Sequence, residues 1–159
     1  MKKLLLLAMV LGLLVSGCAT VPANFKQRAI SEFSIDVKLH SIASHYYPGV
    51  YGFSDLKSLT SVPQINGILV CTEDKVLFVI PGRKKYDIVL EILYSDISDV
   101  LTPAWGLSRR LVIKCKNNFY TFDFVKGAVI SREETYFFCK VISGVSKGIP
   151  ISTFVDESH

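Results

Sequence analysis

The sequence predicts a mainly β (α+β) domain, a small antiparallel barrel or sandwich closed by one C-terminal amphipathic helix. From Gln64 to Val125, short β-rich segments follow one another and are separated by turn residues such as Glu73-Asp74. Beyond residue 130 the apolar spacing changes to the helical period, with one face formed by Phe137, Phe138, Val141, Ile142 and Val145. Consecutive antiparallel strands followed by one such helix are typical of small closed β architectures.

Residues 1–17 have the composition of a secretory signal. Two lysines precede an apolar run from Leu4 to Leu14, which is shorter than the roughly 20 residues that a membrane-spanning helix needs. The next four residues, Val15-Ser16-Gly17-Cys18, resemble the lipobox of bacterial lipoproteins. This resemblance implies cleavage between Gly17 and Cys18 and acylation of Cys18, and two or three acyl chains hold a protein stably on a membrane.

The resemblance to lipoproteins also implies a location. Ala19 follows the expected anchor, where an Asp commonly retains Gram-negative lipoproteins at the inner membrane. We therefore expect an outer-membrane protein facing the periplasm, if the host is Gram-negative. The formal net charge is +4, and two of the positive charges, Lys2 and Lys3, belong to the leader. So small a charge does not indicate nucleic-acid binding.

Four further segments follow the leader. Residues 18–32 are predicted to be the lipidated N-terminus and a tether. Residues 33–63 contain a strand, predicted from the unbroken alternation of Phe33 to His40, and an aromatic loop from Ser44 onward. Residues 64–145 form the main domain, and residues 146–159 a frayed tail.

Within the main domain we expect strands, in chain order, at Gly67–Cys71, Lys75–Ile80, Tyr86–Tyr94, Ile97–Leu101, Arg110–Lys116 and Phe119–Val125. The last two strands should form a hairpin around Asn117-Asn118. The helix should begin after Ser131, which forms a capping box with Glu134. Gly144 is a plausible stop for it.

Three segments between Asn66 and Phe124 resemble a GRAM or bacterial pleckstrin-homology-like (PH-like) domain. They are NGILVCTEDKVLFV, LEILYSDISDV and RRLVIKCKNNFYTFDF, followed by the helix. The best match is Ile92 to Val100, which is similar to a hydrophobic-x-Tyr-x-Asp-Ile-x-x-Val element of the family. The resemblance implies a PH-like fold and a binding module for lipids or proteins, with no catalytic residues.

Two groups of side chains are candidates for contact with a ligand or partner. Arg83, Lys84 and Lys85 form a basic turn that could bind anionic lipid head groups, although the sequence favours a solvated hairpin tip. An envelope protein could instead meet aromatic and basic side chains in the loops, which could equally fold back over the barrel: Trp105, Arg109, Tyr46, Tyr47 and Tyr51.

Acid–base chemistry has one weak candidate. Asp36, Lys38 and His40 share the polar face of the predicted strand, and His45 follows in the loop. No nucleophile, metal or cofactor motif accompanies them, so a solvated strand face is favoured. The alternatives to a binding module are therefore an envelope hydrolase with chemistry near His40 and His45, or a purely structural lipoprotein.

Besides Cys18, the chain has three cysteines: Cys71, Cys115 and Cys139. Each lies among apolar residues, and their spacing suggests neither a disulfide framework nor a metal site. Buried free thiols are favoured over a disulfide.

The lipoprotein resemblance generates the first prediction. Cys18→Ser should leave the precursor uncleaved and unlabelled when cells are grown with radioactive palmitate, because the thiol that accepts the lipid is gone. Continued labelling of this variant would contradict the assignment of Cys18.

Overall fold

The computed structural model describes residues 21, 23–46, 64–82, 86–106, 108–116, 118–126 and 129–155. The helices are α1 (Phe25–Phe33), α2 (Arg132–Ser146) and α3 (Ser152–Val155). The strands are β1 (Leu39–Tyr46), β2 (Gln64–Cys71), β3 (Lys75–Pro81), β4 (Tyr86–Leu93), β5 (Asp99–Leu101), β6 (Ala104–Trp105), β7 (Ser108–Arg109), β8 (Leu111–Cys115), β9 (Asn118–Lys126) and β10 (Val129–Ile130).

One antiparallel sheet contains most of these strands, in the order β4-β3-β2-β1-β9-β8-β5, with β10 paired to β9. β1 lies at its centre and pairs with β2 on one side and with β9 on the other. The short β6 and β7 form a separate hairpin. With α2 following the strands, the predicted fold class is confirmed: a mainly antiparallel β domain with a C-terminal amphipathic helix.

The main core lies between the inner face of this sheet and α2. Phe78 of β3, Phe122 and Phe124 of β9 and Phe138 of α2 are all buried there. The rings of Phe124 and Phe138 stack at 4.7 Å. The α2 residues that the sequence placed on one face therefore pack as predicted, with Phe138, Val141 and Ile142 buried.

The N-terminal cap of α2 is confirmed at Ser131. Its side chain accepts a hydrogen bond from the Glu134 amide, which satisfies one of the amides that a helix start leaves without a partner in the helix. The Ser131 amide donates to the Phe124 carbonyl, so the cap also attaches α2 to β9.

The predicted stop of α2 at Gly144 is wrong, because the helix continues to Ser146. The turn that follows Ser146 is closed at Gly148, whose φ of 90° is left-handed: the Gly148 amide donates to the Val145 carbonyl and the Ile149 amide donates to the Gly144 carbonyl. Gly144 allows close packing instead, since a Cβ there would lie 2.6 Å from Cζ of Phe154.

The tail is not frayed over its described part. Ile151 and Phe154 are buried in the main core, and residues 152–155 form α3. Their apolar side chains stabilise a segment that the sequence pattern alone assigns to no element.

The N-terminal prediction also needs correction. The predicted strand from Phe33 to His40 is wrong, because α1 extends to Phe33 and β1 begins only at Leu39. The tether predicted for residues 18–32 is mostly α1 in its described part.

The aromatic loop predicted from Ser44 onward begins later than expected. Ser44, His45 and Tyr46 belong to β1, and the rest of that loop lies outside the described residues. β1 pairs with β2 over its whole length, and this long-range pairing sets the strand's position.

The hairpin between β8 and β9 is shifted by one residue from its predicted turn. Cys115 pairs with Asn118, so the loop consists of residues 116 and 117, and Lys116 takes the positive φ of 49°. Two-residue hairpin loops require such left-handed residues.

The buried position of α2 generates a stability prediction. Phe138 is 1% exposed, so Phe138→Ala should cost about 3–5 kcal/mol and lower the Tm by about 10 °C. Phe119→Ala is the matched control, since Phe119 is 36% exposed and should cost much less. Equal melting temperatures for the two variants would contradict the packing of α2.

Candidate functional site

Three connections between neighbouring strands leave from the same end of the sheet, which we call the loop end. β1 and β2, β3 and β4, and β8 and β9 are successive antiparallel neighbours, and the β1–β9 pairing aligns the two halves of the sheet. The strand ends that define the loop end are the paired residues Tyr46–Gln64, Pro81–Tyr86 and Cys115–Asn118.

The connections at the loop end carry the predicted basic turn. Arg83, Lys84 and Lys85 join β3 to β4, and the exposed Lys116 joins β8 to β9. The sequence and the topology therefore assign four cations to connections that start from one end of the sheet.

Cys18, Arg83, Lys84, Lys85, Tyr47 and Tyr51 lie outside the described residues. Trp105 is placed in β6, where it pairs with Ser108, but its side chain lies outside the described part.

Tyr46 belongs to a buried polar cluster on the outer face of the sheet. Its hydroxyl donates to Oδ2 of Asp123 at 2.7 Å, and the Arg110 guanidinium lies 4.1 Å from the centre of its ring. Burial, and secondarily Asp123, raise the pKa of Tyr46 to about 12. The hydroxyl is thus a structural hydrogen-bond donor at neutral pH.

Arg110 and Asp123 form the ionic part of this cluster. Nε of Arg110 lies 3.1 Å from Oδ1 of Asp123, and the side chains are only 4% and 2% exposed. Burial raises the pKa of Asp123, while the Tyr46 hydroxyl and Arg110 act in the opposite direction. Burying a charge is costly unless its partner stays beside it, so Arg110 and Asp123 must remain together in the folded protein. With Tyr46, the pair therefore links β1, the start of β8 and β9.

Sequence reasoning did not select Arg110 or Asp123. The sequence signal for Asp123 is its place between two aromatic residues, in Phe122-Asp123-Phe124. Strand alternation nevertheless predicts that the Asp123 side chain faces solvent. Next to the pair, Ser44 donates to Asn66 at 2.7 Å and extends the polar contacts to β2.

Arg109 is half-buried and attaches the β6–β7 hairpin to its surroundings. Its Nη1 donates to the Thr102 carbonyl at 3.1 Å, and its own carbonyl accepts from the Thr135 hydroxyl of α2 at 3.3 Å. These bonds give Arg109 a positioning role within the domain.

The two histidines of the hydrolase hypothesis lie on opposite faces of β1. His40 points to the outer face, with its ring 5.1 Å from that of Phe25. His45 points into the core, where it stacks on Phe122 at 4.9 Å and its Nδ1 lies 3.1 Å from the Thr121 carbonyl. Residues five apart on a strand cannot share one site, so the structure does not bring these histidines together.

Asp36 and Lys38 precede β1 and belong to a different arrangement. Nζ of Lys38 lies 2.7 Å from Asp36 and 3.2 Å from Glu73 of the β2–β3 turn. Asp36 and Lys38 are therefore not part of a strand face, as predicted, but of a group of ion pairs beside the β2–β3 turn. This turn lies at the end of the sheet opposite the loop end.

The three described cysteines are free thiols, as the sequence favoured. Burial raises the pKa of Cys71 to about 12 and also raises those of Cys115 and Cys139. All three are therefore protonated at neutral pH and are weak nucleophiles.

The described ranges contain neither a metal-binding group nor a membrane-spanning helix. No group of three or more His, Cys, Asp or Glu side chains in these ranges could hold a metal ion. Within the same ranges, no helix is both long enough and apolar enough to span a bilayer.

No family model matches the chain, and neither does any curated protein. Among solved structures, the chain is similar to the Slm1-PH domain in complex with D-myo-inositol-4-phosphate, with a TM-score of 0.47 and 14% sequence identity. The match covers 69% of this chain and 94% of that chain.

The burial of His45 generates a prediction of pH dependence. Burial lowers the pKa of His45 from the ordinary value of 6.5, so the unfolded chain binds the proton first as the pH falls. His45 should therefore reduce the free energy of unfolding below about pH 6.5, by at most about 1.4 kcal/mol per pH unit. His45→Leu should show a shallower slope between pH 7 and pH 5 in urea unfolding.

The other titrating groups, including His40, are the same in both proteins, so the difference in slope isolates His45. Identical slopes would mean that His45 is accessible to protons in the folded protein.

Proposed function

We propose that this protein is a binding module held at a bacterial envelope membrane by acylated Cys18, with the loop end as its binding surface. One observation carries the proposal: the connections containing Arg83, Lys84, Lys85 and Lys116 leave from one end of the sheet. Clustered cations near an anionic surface contribute about 1 kcal/mol each. The ligand that fits this surface best is an anionic lipid head group.

The location follows from the same lipobox resemblance. Ala19 after the anchor favours the outer membrane, with the domain in the periplasm, if the host is Gram-negative. A binding role is preferred to a hydrolase because His40 and His45 lie on opposite faces of β1 and the described thiols are protonated.

Vesicle binding tests the proposal. The soluble chain that begins at Ala19 should sediment with phosphatidylglycerol vesicles more than with phosphatidylcholine vesicles, and salt should weaken this preference because exposed charges are screened. Replacing Arg83, Lys84 and Lys85 by Ser should weaken binding to the anionic vesicles by up to about 100-fold.

The matched control removes the same charge elsewhere, by changing the exposed Lys126, Arg132 and Lys147 to Ser. It should keep most of the binding. Equal binding of the wild type to both vesicle types would exclude the lipid ligand and favour an envelope protein as partner.

A further inference from the structure

Helix α1 packs on the outer face of the sheet through two buried side chains, Phe25 and, one helical turn further on, Ala29. The Phe25 ring lies 5.1 Å from the ring of His40 in β1 and 5.0 Å from the ring of Tyr86 in β4. The first turn of α1 therefore contacts a histidine as well as apolar side chains. The apolar cluster to which Phe25 and Ala29 belong also contains Val37, Ile68, Val70, Leu77, Val79 and Tyr86.

The helical state of α1 depends on this attachment to the sheet. Its nine residues are fewer than the roughly 12–15 that an isolated helix needs in water. The side chain of the N-cap residue Asn24 makes no capping hydrogen bond. The first turn also has no acidic residue to offset the positive end of the helix dipole.

The half-buried His40 lies at this positive end of α1, where a second positive charge is unfavourable. Burial, and secondarily the exposed Lys26 of the same helical turn, lower the pKa of His40 from its ordinary value of 6.5. The cavity beneath α1, lined by Phe25, Ala29 and other apolar residues, has a volume of about 10 Å³ and holds at most one water molecule. Little water can therefore reach a charged imidazole from this side.

The other elements around His40 supply no carboxylate to pair with an imidazolium in the described part of the chain. Lys38 precedes it by two residues on the same side of the chain, and the Lys38 ammonium is held by Asp36 and Glu73. In β2, the residue opposite His40 is the apolar Val70. Protonation of His40 would thus add a charge that nothing in this contact compensates.

We propose that His40 is a pH-sensitive switch for α1: when its imidazole takes up a proton, the first turn of α1 leaves the sheet and the apolar outer face beneath it becomes accessible to solvent. The released state, in which His40 has its ordinary pKa of 6.5, binds the proton more tightly than the attached state. The attachment of α1 is therefore strongest above about pH 6.5 and weakens as the pH falls below that value.

Hydrogen exchange on the full chain in detergent micelles, followed by mass spectrometry, tests the switch. Protection factors, which correct for the pH dependence of intrinsic exchange, give the opening equilibrium of the amides in α1. This opening constant should increase by up to about 25-fold between pH 7 and pH 5. At pH 5 it should also exceed that of α2, and equal values would overturn the proposal, because α1 would then leave the sheet only when the whole domain unfolds.

Two histidine variants separate the switch from general acid effects. In His40→Gln, which keeps a polar side chain that does not titrate in this range, the opening of α1 should change several-fold less between pH 7 and pH 5 than in the wild type. His45→Leu is the matched control, since His45 lies on the opposite face of β1 and should leave the pH dependence of α1 in place. Equal pH dependence in His40→Gln and the wild type would overturn the proposal.

A titration of the wild type decides the case in which His40→Gln itself releases α1 at pH 7. The Cε1 proton of His40, followed by NMR, should titrate with a pKa below 6.5. A pKa of 6.5 or above would show that the contact with Phe25 tolerates the imidazolium, and it would overturn the proposal.

Discussion

The structure depends on β1 and its pairing with strands on both sides. Through β2 it holds the first half of the sheet, and through β9 it holds the second half. Its side chains enter two different environments, with His45 in the aromatic core and Tyr46 in the polar cluster with Asp123. Because β1 aligns the two halves, it also places the three connections of the loop end on the same side.

Local sequence signals predicted the second half of the fold better than the first. The Ser131 cap, the apolar face of α2 and the order of β2, β3, β4, β5, β8 and β9 are visible in short windows, since caps and turns depend on neighbouring residues. β1 was placed too early because the alternation from Phe33 to His40 fits a strand, whereas its true position is set by pairing with distant residues. α1 has no side-chain cap, and its contacts with the sheet are long-range.

The candidate site was predictable only where it depends on composition. The basic turn Arg83-Lys84-Lys85 is visible in the sequence, and the topology adds that Lys116 belongs to a connection at the same end. The Arg110–Asp123 pair was not predicted, because alternation assigns both residues to a solvent-facing side that is in fact buried. The contacts of Phe25 with His40 and Tyr86, which hold α1 on the sheet, depend on tertiary packing.

The central claim is that β1 joins both halves into one cooperative sheet, and native-state hydrogen exchange tests it directly. In a two-state domain, core amides exchange only when the whole domain unfolds. The paired amides among residues 43–46 of β1 and 121–124 of β9 should therefore show the same free energy of opening as those that pair β2 with β3. A markedly lower free energy of opening between β1 and β9 would contradict the account, because the two halves would then separate independently.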